Sequence, residues 1–170
     1  MVSVHPIAGP GIGIGAQNFD AVMINGTGAA ITKGDVVSVK AIAAAADATP
    51  DGRWQVVKKP VDGVDDDIDD LEFGFFGVAL ADCANDSTAT VRVRFQGYVD
   101  VKVAGTPATG DGLTVVLDGT GKVTPAAVGD KVVAFYCGID SDGDYASATD
   151  DEIVQCLFDG LNGFGMDHAT

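Results

Sequence analysis

Asp140-Ser-Asp142-Gly-Asp144 sets three carboxylates at alternate positions, a spacing that can wrap a hard cation such as calcium in oxygen ligands. A helix–loop–helix calcium loop also needs Gly at its sixth position and Glu at its twelfth, and here those are Tyr145 and Asp151. Asp140, Asp142 and Asp144, with Asp150, Asp151 and Glu152 close behind, therefore stand as candidate ligands for a loosely held divalent ion. A solvated acidic turn is the plainer reading. The same holds for Asp62 to Glu72, where seven of eleven residues are acidic and an exposed loop is expected.

Acid–base and nucleophilic chemistry find little support. The two histidines, His5 and His168, lie near the two ends, where no rigid shell could hold a base. A serine or cysteine nucleophile needs such a base within hydrogen-bond reach. The three cysteines, Cys83, Cys137 and Cys156, are odd in number, lack CxxC spacing and sit in or beside apolar runs, as reduced cysteines behaving as small apolar residues do. Gly11-Ile-Gly13-Ile-Gly15 has the look of a dinucleotide loop, but too few residues precede it for a strand and no periodic helix follows it. Arg92 and Arg94 are two residues apart on one strand face. They could pair with the acidic loops, form a contact patch, or simply face water. The chain is expected to be no enzyme and to need no cofactor.

The elements that must position these residues are strands. Val91, Val93, Phe95, Val99, Val101 and Val103 are apolar, with Arg92, Arg94, Asp100 and Lys102 between them, the period-two pattern of a sheet with one buried face. Gln96-Gly97 reads as a break in phase, a bulge or bend separating two strands. Thr32-Lys-Gly34-Asp35, Thr109-Gly110-Asp111 and Val128-Gly129-Asp130 each place Gly-Asp before an apolar run, with Gly supplying a left-handed backbone and Asp capping the turn. Further strands are expected at Phe19–Ile24 (ended by an Asn25-Gly26 turn), Trp54–Val57, Gly74–Leu80, Leu113–Leu117, Lys122–Thr124, Lys131–Ile139 and Ile153–Phe158. The alanine-rich 41–52 could hold one helical turn. The fold expected is all-β, a compact sandwich or small barrel of about nine or ten short strands. Residues 1–18, with Gly at 9, 11, 13 and 15 and two prolines, are expected to form an extended arm that orders against a partner, or else a frayed terminus; 19–159 are expected to form the domain, and 160–170 a Gly-rich tail, loosely held or docked on a neighbour.

With 170 residues and 46% apolar content the chain can bury a core without disulfides or metals. Ten Lys+Arg against 25 Asp+Glu give a formal net charge of −15, which repels phosphate backbones and anionic lipid, so neither nucleic acid nor a membrane is an expected partner. The N-terminus lacks a basic region and an unbroken apolar stretch, so synthesis in a cytoplasm is expected.

From Ile31 to Phe158 the order of features resembles the decoration, or cement, proteins of tailed-phage heads. The resembling pieces are Lys33-Gly34-Asp35-Val-Val-Ser-Val, Gly77-Val-Ala-Leu-Ala-Asp82 with the strand through Val91-Arg-Val-Arg-Phe-Gln-Gly97, Gly110-Asp111 ahead of Leu113–Asp118, Thr120-Gly-Lys-Val-Thr124, and Val154-Gln-Cys-Leu-Phe158. The segment 59–73 and the Gly-rich ends depart from that pattern. The resemblance implies a structural virion protein on the capsid exterior, made in the host cytoplasm. It would form a homotrimer and bridge subunits of the major capsid protein. Contact residues expected on this reading are Val4, Ile7, Ile12 and Ile14 of the arm, with Phe164 and Met166 of the tail. The rival is a calcium- or carbohydrate-binding β module that uses the Asp140–Asp144 loop.

Overall fold

The computed structural model describes residues 18–40, 56–60, 75–86, 88–140, 148–161, 163 and 165–166. Every regular element among them is a strand: β1 Phe19–Asn25, β2 Val36–Lys40, β3 Val56–Lys58, β4 Phe76–Ala79, β5 Thr90–Lys102, β6 Gly112–Val115, β7 Val123–Pro125, β8 Lys131–Val132, β9 Ala134–Asp140, β10 Ile153–Asp159 and β11 Gly165–Met166. The fold is all-β.

Nine strands form one sheet in the order β1-β3-β2-β4-β5-β10-β9-β6-β7, and β1 also pairs with β5. The first five thus close into a ring, with β1 parallel to β3 and the other pairs antiparallel. At the far side, a bridge between Val103 and Val123 returns β7 to the end of β5. A closed set and a nearly closed set of strands therefore share β5, which leaves few of the open edges that invite aggregation.

Each set encloses its own core. Met23, Ile31, Val37, Ala79, Cys83, Val91, Val93 and Phe95 fill one. Val99, Val101, Val103, Leu113, Val123, Tyr136, Val154, Cys156 and Phe158 lead the other, joined by Val36 and Val78. Val36 and Val37 are both fully buried because neighbouring residues on a strand face opposite ways and β2 has a core on each side.

β5 is one strand of 13 residues, not two. Its burial alternates without interruption from Val91 to Val101, and Gly97 occupies an inward position in that series. The alternation looks broken in the sequence because glycine contributes no apolar side chain there. The change at Gly97 (φ +118°) is of neighbour: Thr90–Gln96 pair with β1 and Gln96–Lys102 with β10. A Cβ on Gly97 would collide with the Asn18 side chain, so the start of β1 packs directly on this point.

A second correction falls on Lys131–Ile139. The run divides at Val133, whose N–H donates to the Leu113 carbonyl (2.8 Å) while its carbonyl accepts from Asp159. β9 continues in the large sheet, and β8 pairs with β11 in a two-stranded sheet of its own. Gly165–Met166 of the tail thus run along β8, with Met166 opposite Lys131.

The three Gly-Asp turns are alike. Gly34, Gly110 and Gly129 have φ of +87°, +89° and +95°. The following Asp donates its N–H to the carbonyl three residues back, and its carboxylate accepts from that residue's N–H: Thr32 to Asp35 (2.8 Å), Ala108 to Asp111 (2.7 Å) and Ala127 to Asp130 (2.8 Å). This is a β-turn with glycine in the left-handed position and an aspartate locking it. At β1, the loop after Asn25 is held instead by Asn25 itself, buried, with its amide on the Ala29 and Ala84 carbonyls and its oxygen on the Thr27 N–H.

Candidate functional site

The charged side chains of the described residues are used mostly on one another, across strands. Asp35, fully buried, stands where the first Gly-Asp turn enters β2, at the seam between the two strand sets. Its Oδ1 accepts from Lys102 Nζ at 2.7 Å and its Oδ2 from Lys59 Nζ at 2.9 Å and the Thr32 N–H at 2.8 Å. Lys102 also reaches the Thr32 hydroxyl. Burial opposes the Asp35 charge, but Lys102, the Thr32 N–H and Lys59 outweigh it and hold the carboxyl below the usual carboxylate range. The backbone here ties β4, β5 and the β6–β7 connection together: Gly34 N–H donates to Ala79, Lys102 N–H to Gly34, and Val36 N–H to Gly121.

Among the described residues, Arg92 and Arg94 pair with Asp20 of β1. Arg94 Nε and Nη2 donate to the two Asp20 oxygens at 2.7 and 3.1 Å, and its Nη1 to the Tyr98 carbonyl at 2.7 Å. Arg92 Nη2 adds a contact of 2.7 Å to the same carboxylate, though its side chain is 64% exposed. The Arg94 hydrogen bonds lead in holding the Asp20 carboxyl below its ordinary range. The register explains the set, since Asp20 lies opposite Arg94 and Val22 opposite Arg92.

Of the candidate cation ligands, Asp140 ends β9, while Asp142 and Asp144 lie outside the described residues, as does the whole of 61–74. Asp150 and Asp151 are already engaged by Lys122 Nζ, at 3.3 and 2.7 Å. Glu152 accepts from the Thr149 N–H at 2.6 Å. Among the described residues no group of three or more His, Cys, Asp or Glu side chains is placed to hold a metal ion. His5, His168, Val4, Ile7, Ile12, Ile14 and Phe164 also lie outside the described residues. Met166 is in β11.

One surface feature was not anticipated from the sequence. Where β5 and β10 run side by side, Tyr98 faces Leu157 and Asp100 faces Gln155. A cleft of about 170 Å³ opens on this face, lined among others by Lys33, Leu80, Arg94, Tyr98, Asp100 and Gln155. Lys33 Nζ bonds Asp100 Oδ2 at 2.8 Å. The alternation of β5 marks these positions as outward, but it carries no signal that Lys33, from a distant turn, joins them.

No protein-family model matches the chain, and no curated protein matches it. Among solved structures, the fold is similar to the base of the head fiber protein gp8.5 of bacteriophage phi29, with a TM-score of 0.51 and 11% identity. The match covers 89% of this chain and 100% of that one. At that identity the likeness is one of fold.

Proposed function

We propose that this chain is a non-enzymatic accessory protein of a phage head. It sits on the capsid exterior as a homotrimer and bridges subunits of the major capsid protein. The observation that carries the reading is the fold shared, over nearly the whole chain, with a protein described as the N base of a phage head fiber. The order of turns and strands that resembles head decoration proteins agrees with it. So does the use of charge: the ion pairs around Asp35, Asp20 and Lys122 tie strands and loops together, as suits a rigid scaffold that works by contact.

The contacts are assigned to the ends of the chain. Val4, Ile7, Ile12 and Ile14 give the arm apolar side chains suited to adding along a neighbour's sheet edge, and Phe164 and Met166 are the contacts assigned to the tail. Many copies of a modest contact hold firmly on a repeating shell. The net charge of −15 keeps the protein off nucleic acid and anionic membrane and keeps particles dispersed.

The test pairs light scattering with sedimentation. The full chain and a form lacking residues 1–18 are weighed in solution and then mixed with capsids of the source phage stripped of this protein. The expected result is a trimer that saturates the capsids, with loss of trimer or of capsid binding on truncation. A monomer that does not sediment with capsids overturns the reading.

A further inference from the structure

We propose that the cleft on the outer face of β5, lined by Lys33, Leu80, Arg94, Tyr98 and Asp100 and by Gln155 of β10, is a binding site for a neutral saccharide, a role separate from attachment to a shell. Its fixed charges are already balanced. Lys33 is bonded to Asp100, and Arg94 directs Nε and Nη2 to Asp20 and Nη1 to the Tyr98 carbonyl. A charged ligand would have to break one of these pairs, and an anion would also meet the field of a chain of net charge −15. A ligand without charge meets neither obstacle.

Neutral hydrogen-bonding groups are available in the same place. Neither the Tyr98 hydroxyl nor the half-buried Gln155 amide has a hydrogen-bond partner among the described residues. The amide alone offers two donors and an acceptor, and the phenol adds one of each. Tyr98 is 42% exposed, so the residue is accessible to a ligand beside these groups.

A sugar ring has a face of C–H groups and a rim of hydroxyls, each both donor and acceptor. An accessible tyrosine beside neutral polar groups that have no partner among the described residues fits both features. The cleft, at about 170 Å³, takes one ring with the rest of an oligosaccharide lying across the sheet. Both strands belong to the closed scaffold, and Tyr98 lies opposite Leu157 and Asp100 opposite Gln155 in an unshifted register. The groups are therefore held ready rather than assembled on binding.

The experiment is ligand-observed NMR followed by calorimetry on the full chain. The probes are soluble neutral oligosaccharides of glucose, galactose, mannose and N-acetylglucosamine, with sialyllactose and an oligogalacturonate as acidic counterparts. At least one neutral oligosaccharide is expected to bind with a dissociation constant on the order of 1 mM. Tyr98→Ala is expected to weaken it by about tenfold or more and Gln155→Ala by about threefold to tenfold, for a lost stacking surface and a lost hydrogen bond. Tyr98→Phe, which keeps the ring and removes only the hydroxyl, should fall between wild type and Tyr98→Ala. Melting temperatures of the variants separate loss of binding from loss of fold, and Gln155→Ala carries the test alone if Tyr98→Ala is destabilised. Absence of binding across the neutral panel overturns the proposal, as does binding that both Tyr98→Ala and Gln155→Ala leave unchanged. Tighter binding of the acidic sugars overturns it too.

Discussion

Replacing Asp35 by Asn should be among the most damaging single changes available to this fold. The carboxylate is fully buried and accepts from two ammonium groups and a backbone N–H, at 2.7, 2.9 and 2.8 Å. Each hydrogen bond to a charged group is worth about 1.5–3 kcal/mol, and removing one member of a buried ion network costs about 3–5 kcal/mol because the partners are left uncompensated. Lys59 and Lys102 are each 22% exposed, so their heads can turn partly into water, which places the loss near the lower end, about 3 kcal/mol. For a chain of this length that lowers the melting temperature by about 6–12 °C. Urea unfolding of wild type, Asp35→Asn, and Asp35→Asn combined with Lys59→Met and Lys102→Met gives the comparison. The triple variant should recover much of the loss, since an apolar set can replace a buried ionic one at little cost. The pH dependence follows from the depressed carboxyl. Its contribution is complete above the unfolded value of about 3.9 and is lost as pH falls through the lower folded value, so the wild-type and Asp35→Asn curves converge in acid. A loss below about 1 kcal/mol at neutral pH, or a triple variant no better than Asp35→Asn, would refute the reasoning.

Two further changes test the scaffold. Arg94→Ala should cost about 2 kcal/mol, because a bidentate, largely buried pair to Asp20 is lost, while Arg92→Ala, on a side chain 64% exposed, should cost well under about 1 kcal/mol; equal losses in urea unfolding would contradict the geometry. Gly160→Ala should cost about 3 kcal/mol or more, since its Cβ would collide with the Phe76 carbonyl oxygen that β4 presents; Gly110→Ala, where a Cβ meets nothing, should cost only about 1 kcal/mol for its left-handed backbone. A reversed order in melting temperature would show that crowding at Gly160 is relieved by movement of β4.

Much of the fold was legible because its signals are local. The period-two pattern from Val91 to Val103 marks a strand with one buried face wherever it pairs, and a glycine before an aspartate sets a turn from its own backbone freedom and its neighbour's carboxylate. All-β character, the turns at Asp35, Asp111 and Asp130, and reduced cysteines in apolar surroundings could be read that way, and Cys83 and Cys156 are indeed buried. Pairing is another matter, because the partner of a strand lies anywhere along the chain. That β5 runs unbroken through Gly97 depends on Asn18 and β10 meeting it there, and the division at Val133 depends on hydrogen bonds to Leu113 and Asp159. The three Gly-Asp turns make the distinction plainest. Sequence makes them equivalent, yet only Asp35 is sealed between two strand sets with Lys59 and Lys102 upon it, while Asp111 and Asp130 keep access to water. Turn geometry is written in four adjacent residues; burial and charge pairing are decided by segments 24 and 67 positions away, which only the closed sheet brings together.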